Sequence, residues 1–175
     1  SPTPIVDEAT MAHVEREVLV PVVDAMRRAF GPYEGCLYAG LMLTPGGAKV
    51  LEFNCRFGDP ETQPLMMRLR GDLVEAMLAV SERRLDEITL DWDPRPAVCV
   101  VMASGGYPGE YAKGHRIEGV AEADAMEDVK VFHAGTAEDD GRLVTAGGRV
   151  LGVTALGETV AAARRLAYQA VEKIH

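Results

Sequence analysis

Glu52, Asn54 and Arg56 stand at alternate positions in the run Leu51-Glu52-Phe53-Asn54-Cys55-Arg56, just ahead of the turn-forming residues Gly58-Asp59-Pro60. Alternation of polar with apolar side chains predicts a strand, with Glu52, Asn54 and Arg56 on one face and Leu51, Phe53 and Cys55 on the other. Two residues apart on a strand means Cα atoms separated by roughly 6–7 Å, so a carboxylate and an amide oxygen can converge on one hard cation. Mg2+ is held by one or two protein oxygens together with waters and substrate phosphates. The pair therefore suits a metal–nucleotide site rather than a closed metal cage. Arg56 adds a planar fork that can grip a carboxylate or a phosphoryl group bidentately. Spacing alone reads equally well as the solvated face of an edge strand, with Arg56 paired to Asp59 or Glu61.

The elements that must position these residues can be drawn from the surrounding pattern. Met11, Val14, Val18, Val22 and Met26 recur at three- and four-residue intervals, which predicts a helix from Asp7 to about Phe30, kinked or broken at Pro21. Residues 35–44 and 49–56 read as two strands joined through Pro45-Gly46-Gly47, a hairpin that carries the metal pair near the end of its second strand. Short helices follow at 63–70, with Pro64 in the first turn, and from Asp72 as N-cap to about Arg83. The polar, proline-containing stretch LDEITLDWDPRP marks a domain boundary, giving residues 1–88 and 89–175. Beyond it, Ala97–Ala103 fits a buried strand, and 130–133 and 142–154 add strands, the last interrupted by Gly147-Gly148. From Glu158, one face of a closing helix is marked by Val160, Ala163, Ala167, Ala170, Val171 and Ile174. The fold class is α+β: an antiparallel hairpin with helices, then a small sheet-rich domain closed by a helix.

Composition bounds the partners. The 175 residues carry a net charge of -9, which argues against nucleic acid and membrane surfaces, both of which attract clustered Lys and Arg. No apolar run reaches the length of about 18 residues that a membrane span needs, and Ser-Pro-Thr-Pro does not open a signal peptide. Cys36, Cys55 and Cys99 lack CxxC spacing and read as reduced core residues. Together these features point to a cytoplasmic protein.

The run LEFNCRFGDPETQPLM, preceded by GCLYAGLML, resembles the signature of the phosphoribosylamine–glycine ligases, or glycinamide ribonucleotide synthetases, ATP-grasp enzymes of purine biosynthesis. SPTPIVDEATMAHVEREVLVP, VVMASGGYPGEY, KVFHAGT and VTAGGRVLGVTALG resemble the same family in the same order. The resemblance covers essentially the whole chain, but the family has an N-terminal substrate-binding domain and the first part of the ATP-grasp unit ahead of the matching segment. The chain thus looks like a C-terminal fragment: the end of an ATP-grasp domain followed by a domain of the rudimentary single hybrid motif type. The resemblance implies ATP-dependent joining of glycine to phosphoribosylamine through a glycyl phosphate. It also implies Mg2+ or Mn2+ on Glu52 and Asn54, Arg56 facing the carboxylate or the phosphoryl group in flight, and Asp59 receiving the glycine amine or orienting Arg56. The remaining partner would be the missing N-terminal part of the same enzyme. Alternatives are a folded but noncatalytic piece, or part of another ATP-grasp enzyme such as biotin carboxylase, which has a similar Glu-x-Asn-x-Arg strand.

Other groups carry less. Ser104-Gly105-Gly106-Tyr107-Pro108-Gly109 lacks the Gly-Lys-Ser/Thr ending of a phosphate loop and reads as a turn between strands. The four histidines have no mutual metal-ligand spacing.

Overall fold

The computed structural model describes residues 1–175, which divide into two compact units. One, the hairpin unit, comprises Pro2–Gly58 and Gly71–Asp91; the other, the sheet unit, comprises Ser1, Asp59–Arg70 and Trp92–His175.

In the hairpin unit, Asp7 caps helix α1 (Glu8–Val14) by accepting the Thr10 amide at 2.8 Å. The helix continues through one π turn, Glu15–Leu19, into α2 (Val20–Phe30). The interruption expected at Pro21 is thus a widened turn immediately before the proline rather than a break. Proline has no N–H and its ring crowds the carbonyl four residues back, and a wider turn relieves both problems. Strands β1 (Tyr38–Thr44) and β2 (Gly47–Asn54) pair antiparallel, with Thr44 opposite Gly47 across Pro45-Gly46. Thr44 Oγ1 ties this turn, accepting from the Gly46 amide at 3.2 Å and donating to the Gly47 carbonyl at 2.8 Å. Gly47, at φ 95°, occupies a conformation that a side chain would strain. Helix α4 (Leu73–Ser81) opens on Asp72, whose Oδ1 accepts from the amides of Val74 and Glu75. Only Val14, Ala76 and Ala79 of this unit are buried apolar residues, while Phe30 is 83% and Leu51 65% exposed.

The sheet unit is built on β7 (Arg149–Leu156), which lies between β3 (Ala97–Ala103) and β4 (Val129–His133), antiparallel to both. Helix α6 (Val160–Val171) and helix α3 (Thr62–Arg68) both pack on β7, which explains why its sequence is apolar on consecutive rather than alternate positions. Leu151, Val153 and Ala155 are essentially inaccessible, as are Ala163, Ala167 and Ala170 on the facing side of α6. Small side chains there let helix and sheet approach closely. Val160, expected on that face, is instead 41% exposed in the first turn, where Thr159 caps the helix through the Ala162 amide. Helix α5 (Val120–Asp124) and the hairpin of β5 (Thr136–Asp139) and β6 (Arg142–Thr145) complete the unit.

A charged knot closes the start of the sheet unit. Asp93, 5% exposed, accepts from Arg95 Nε at 3.1 Å, Arg95 Nη2 at 3.0 Å and Arg70 Nη2 at 3.0 Å, while Arg95 Nη1 reaches Asp128 at 2.8 Å. Hydrogen bonding to Arg95, with help from Arg70, holds the Asp93 carboxyl far below the usual carboxylate range. A buried charge is tolerable only when paired in this way.

Candidate functional site

Strand β2 brings Glu52 and Asn54 onto one face, as the alternation predicts, and ends at Asn54; Cys55 and Arg56 lie in the bend that follows rather than in the strand. The strand ends where its partner begins, since Asn54 lies opposite Tyr38, the first residue of β1, and the register carries one irregularity before that point. Gly40 lies opposite Glu52, but Leu41 lies opposite Val50, so Leu51 is an extra residue on β2. Such a bulge twists the strand and resets the direction of the side chains beyond it. Glu52 and Asn54 meet: Asn54 Nδ2 donates to Glu52 Oε1 at 3.0 Å. Turned over about its last torsion, the same amide presents its oxygen instead.

This donor set fits a magnesium-like ion. Both groups offer hard oxygen, and nowhere do three or more His, Cys, Asp or Glu gather in a metal-binding cluster. An ion held here would take the rest of its shell from water and phosphate oxygens, which is the usual mode for Mg2+.

Arg56 is exposed, and its Nη1 donates to the carbonyl of Phe57 at 2.9 Å. That bond bends the side chain along its own loop. Close by in the same unit, Tyr33 donates to the Cys36 carbonyl at 2.8 Å, and its hydroxyl pKa is raised, chiefly by a hydrogen bond to Cys55. Cys55 is exposed, which corrects its reading as a core thiol; Cys99, mostly buried on β3, has its thiol pushed up by burial and does belong to the interior.

Asp59 belongs to the sheet unit, where three contacts hold it. Arg149 Nη2 lies 3.1 Å from Asp59 Oδ2, Arg149 Nη1 donates to the Asp59 backbone carbonyl at 2.9 Å, and Gln63 Nε2 donates to Asp59 Oδ1 at 2.9 Å. Sequence reasoning did not single out Arg149 or Gln63. Arg149 is ninety residues from its partner, and in the sequence it is only the residue after a Gly-Gly break. The glycine-rich Ser104–Gly109 stretch is the expected turn: Ser104 Oγ donates to the Gly147 carbonyl at 2.8 Å, and the Ser104 amide donates to Gly148 at 2.8 Å. It braces the entry to β7 immediately before Arg149.

A hairpin ending in a carboxylate–amide pair, with an arginine beyond it and a helix-covered antiparallel sheet later in the chain, has the architecture of the carboxy-terminal part of an ATP-grasp enzyme. Residues 1–62 match the model of the phosphoribosylglycinamide synthetase ATP-grasp (A) domain, and residues 97–175 match that of the phosphoribosylglycinamide synthetase C domain. The chain belongs to the phosphoribosylglycinamide synthetase family. It is 62% identical over 174 residues to a phosphoribosylamine–glycine ligase of Rhodopirellula baltica, covering 99% of this chain and 40% of that protein. A ligase of the same name from Pseudomonas aeruginosa is 56% identical over 175 residues, covering 99% of this chain and 41% of that protein. The chain thus spans about two fifths of the length of the curated relatives it matches. Among solved structures, the phosphoribosylamine–glycine ligase of Thermotoga maritima superposes with a TM-score of 0.76 at 34% identity, covering all of this chain and 42% of that one. N5-carboxyaminoimidazole ribonucleotide synthetase from the same organism shares the fold at a TM-score of 0.63 and 18% identity, covering 99% of this chain and 44% of that one.

Proposed function

We propose that this segment supplies the metal-holding part of an enzyme that joins glycine to 5-phosphoribosylamine, consuming ATP and releasing glycinamide ribonucleotide, ADP and phosphate. The reaction is a step of purine biosynthesis in the cytoplasm. A carboxylate oxygen of glycine attacks the γ-phosphorus and ADP leaves; the amine nitrogen then attacks the acyl carbon of the glycyl phosphate, loses a proton and expels phosphate. Residues 1–88 form the end of the ATP-grasp domain in this reading, and 89–175 form the domain that follows it. The observation that carries the reading is the meeting of Glu52 and Asn54 at 3.0 Å on one strand face, in a chain 62% identical to a protein named for this activity.

Such phosphoryl transfer depends on positioning and charge neutralisation more than on covalent help from the protein. Glu52 and Asn54 would hold Mg2+ or Mn2+, which, when bound, neutralises charge on the ATP phosphates. Arg56 orients the glycine carboxylate or the phosphoryl group through its fork. Asp59, held by Arg149 and Gln63, accepts the glycine ammonium group. No helix is long and apolar enough to cross a membrane, in keeping with small-molecule substrates met in water.

The test is ADP release by a protein of the relatives' full length that contains this segment. Release should require glycine and phosphoribosylamine together. Release that depends instead on bicarbonate and biotin, with no response to glycine, would sink the assignment in favour of a carboxylase.

A further inference from the structure

We propose that Gly40 is a positioning residue for the metal: the absence of a side chain there lets Glu52 lie across β1 and reach Asn54. The inference rests on the metal role of Glu52 and adds the residue that aims it. A Cβ built on Gly40 would stand 3.1 Å from Glu52 Cγ, 3.6 Å from the Glu52 carbonyl oxygen and 3.7 Å from a Tyr38 ring carbon. The first distance is shorter than ordinary carbon–carbon contact, whose optimum is about 3.5–4.0 Å. Opposed side chains on paired strands normally stand side by side, with Cβ atoms about 4.5–5.5 Å apart. Here the Glu52 stem leans over its partner strand into the room that glycine leaves.

Two further observations tie this lean to the metal pair. The bulge at Leu51 falls immediately before Glu52 and immediately beside Gly40, so the register break and the missing side chain act on the same carboxylate. In the resulting pose, Glu52 Oε1 lies 3.0 Å from Asn54 Nδ2, close enough for both side chains to share one small cation. Backbone conformation does not account for the glycine: Gly40 is absent from the positive-φ glycines, so an L-residue fits its backbone. The constraint is steric, and its object is Glu52. Alanine at this position would displace the Glu52 stem by a few tenths of an ångström or turn it to another rotamer, parting the carboxylate from Asn54.

The experiment measures Mn2+ binding by electron paramagnetic resonance, in the presence of a nonhydrolysable ATP analogue, on a protein of the relatives' full length containing this segment. Wild type, Gly40→Ala and Glu52→Gln are compared, each with its thermal midpoint. Loss of a group that orients a metal ligand typically weakens affinity about 10–100-fold. Gly40→Ala should therefore bind Mn2+ about 10-fold more weakly at an unchanged midpoint, and its turnover should recover at saturating metal. Wild-type Mn2+ affinity in Gly40→Ala, with weakened binding in Glu52→Gln, would overturn the role of Gly40 and leave the metal pair standing. Wild-type affinity in Glu52→Gln would overturn both. A lowered midpoint with a loss that added metal does not restore would make Gly40 a folding residue and overturn the proposal.

Discussion

Arg56 and Arg149 show how differently two arginines can be read. Arg56 announces itself by its alternation with Glu52 and Asn54, whereas Arg149 reaches Asp59 only because β7 begins where the Asp59–Pro60 turn passes. A contact ninety residues apart leaves no local pattern. For Arg56, the fork is the feature that matters, and an ammonium cannot reproduce it. Arg56→Lys should lower kcat/KM for glycine about 10-fold or more, the scale of one charge-assisted hydrogen bond. Steady-state kinetics with glycine varied decides this, and an unchanged value would reduce Arg56 to a loop residue bonded to Phe57. Arg149 and Asp59 are 42% and 45% exposed as side chains, so their ion pair contributes about 0–1 kcal/mol to stability. Arg149→Ala should raise KM for glycine while shifting the melting temperature little, because Asp59 loses its alignment rather than the fold losing its core. A large melting shift with unaltered KM would assign the pair to stability alone.

At the level of elements, the hairpin, α4 with its Asp72 cap, β3 and the closing helix were all legible, because each rests on a local rule: a Pro-Gly-Gly turn, an N-cap, an unbroken apolar run, a helical stripe. Leu51's bulge was not legible. It arises from pairing with β1, whose start at Tyr38 also ends β2 at Asn54 where alternation alone would carry the strand to Arg56. Helix α5 was missed for a similar reason: five residues, Val120–Asp124, are too short to show a period and are held by the packing of Ala123 in the core. The Asp93 knot was local only in part, since Arg95 lies two residues on but Arg70 and Asp128 come from distant segments. Its pH dependence follows from the depressed Asp93 pKa. The folded carboxyl ionises well below its unfolded value of about 3.9, so its stabilisation is complete above that value and is lost as pH falls below it. Melting of Asp93→Asn against wild type should show a gap that is constant near neutrality and narrows as pH drops below about 4. A gap that instead widened on acidification would contradict the pairing.

Across the whole molecule, the two units differ in how much they bury. The sheet unit encloses β7 on both faces, whereas the hairpin unit has three buried apolar residues and leaves Phe30 and Leu51 in solvent. Local opening tracks such differences. Amide exchange should be slow at 150–155 and 129–131 and much faster at 38–54, and equal protection in the two strand sets would contradict this ranking. The proposed metal pair therefore sits on the less protected unit, where in this proposal the local pairing of Gly40 with Glu52 does the aiming. Whether Glu52 and Asn54 hold the ion that the reaction needs is decided by the Mg2+ dependence of glycine-stimulated ADP release, comparing Glu52→Gln with wild type at the family's full length. Turnover of Glu52→Gln should be lower by about 100-fold at limiting Mg2+, the scale of losing one preorganised electrostatic partner, with an unchanged melting temperature. Wild-type turnover at limiting Mg2+ would contradict the metal role of the pair.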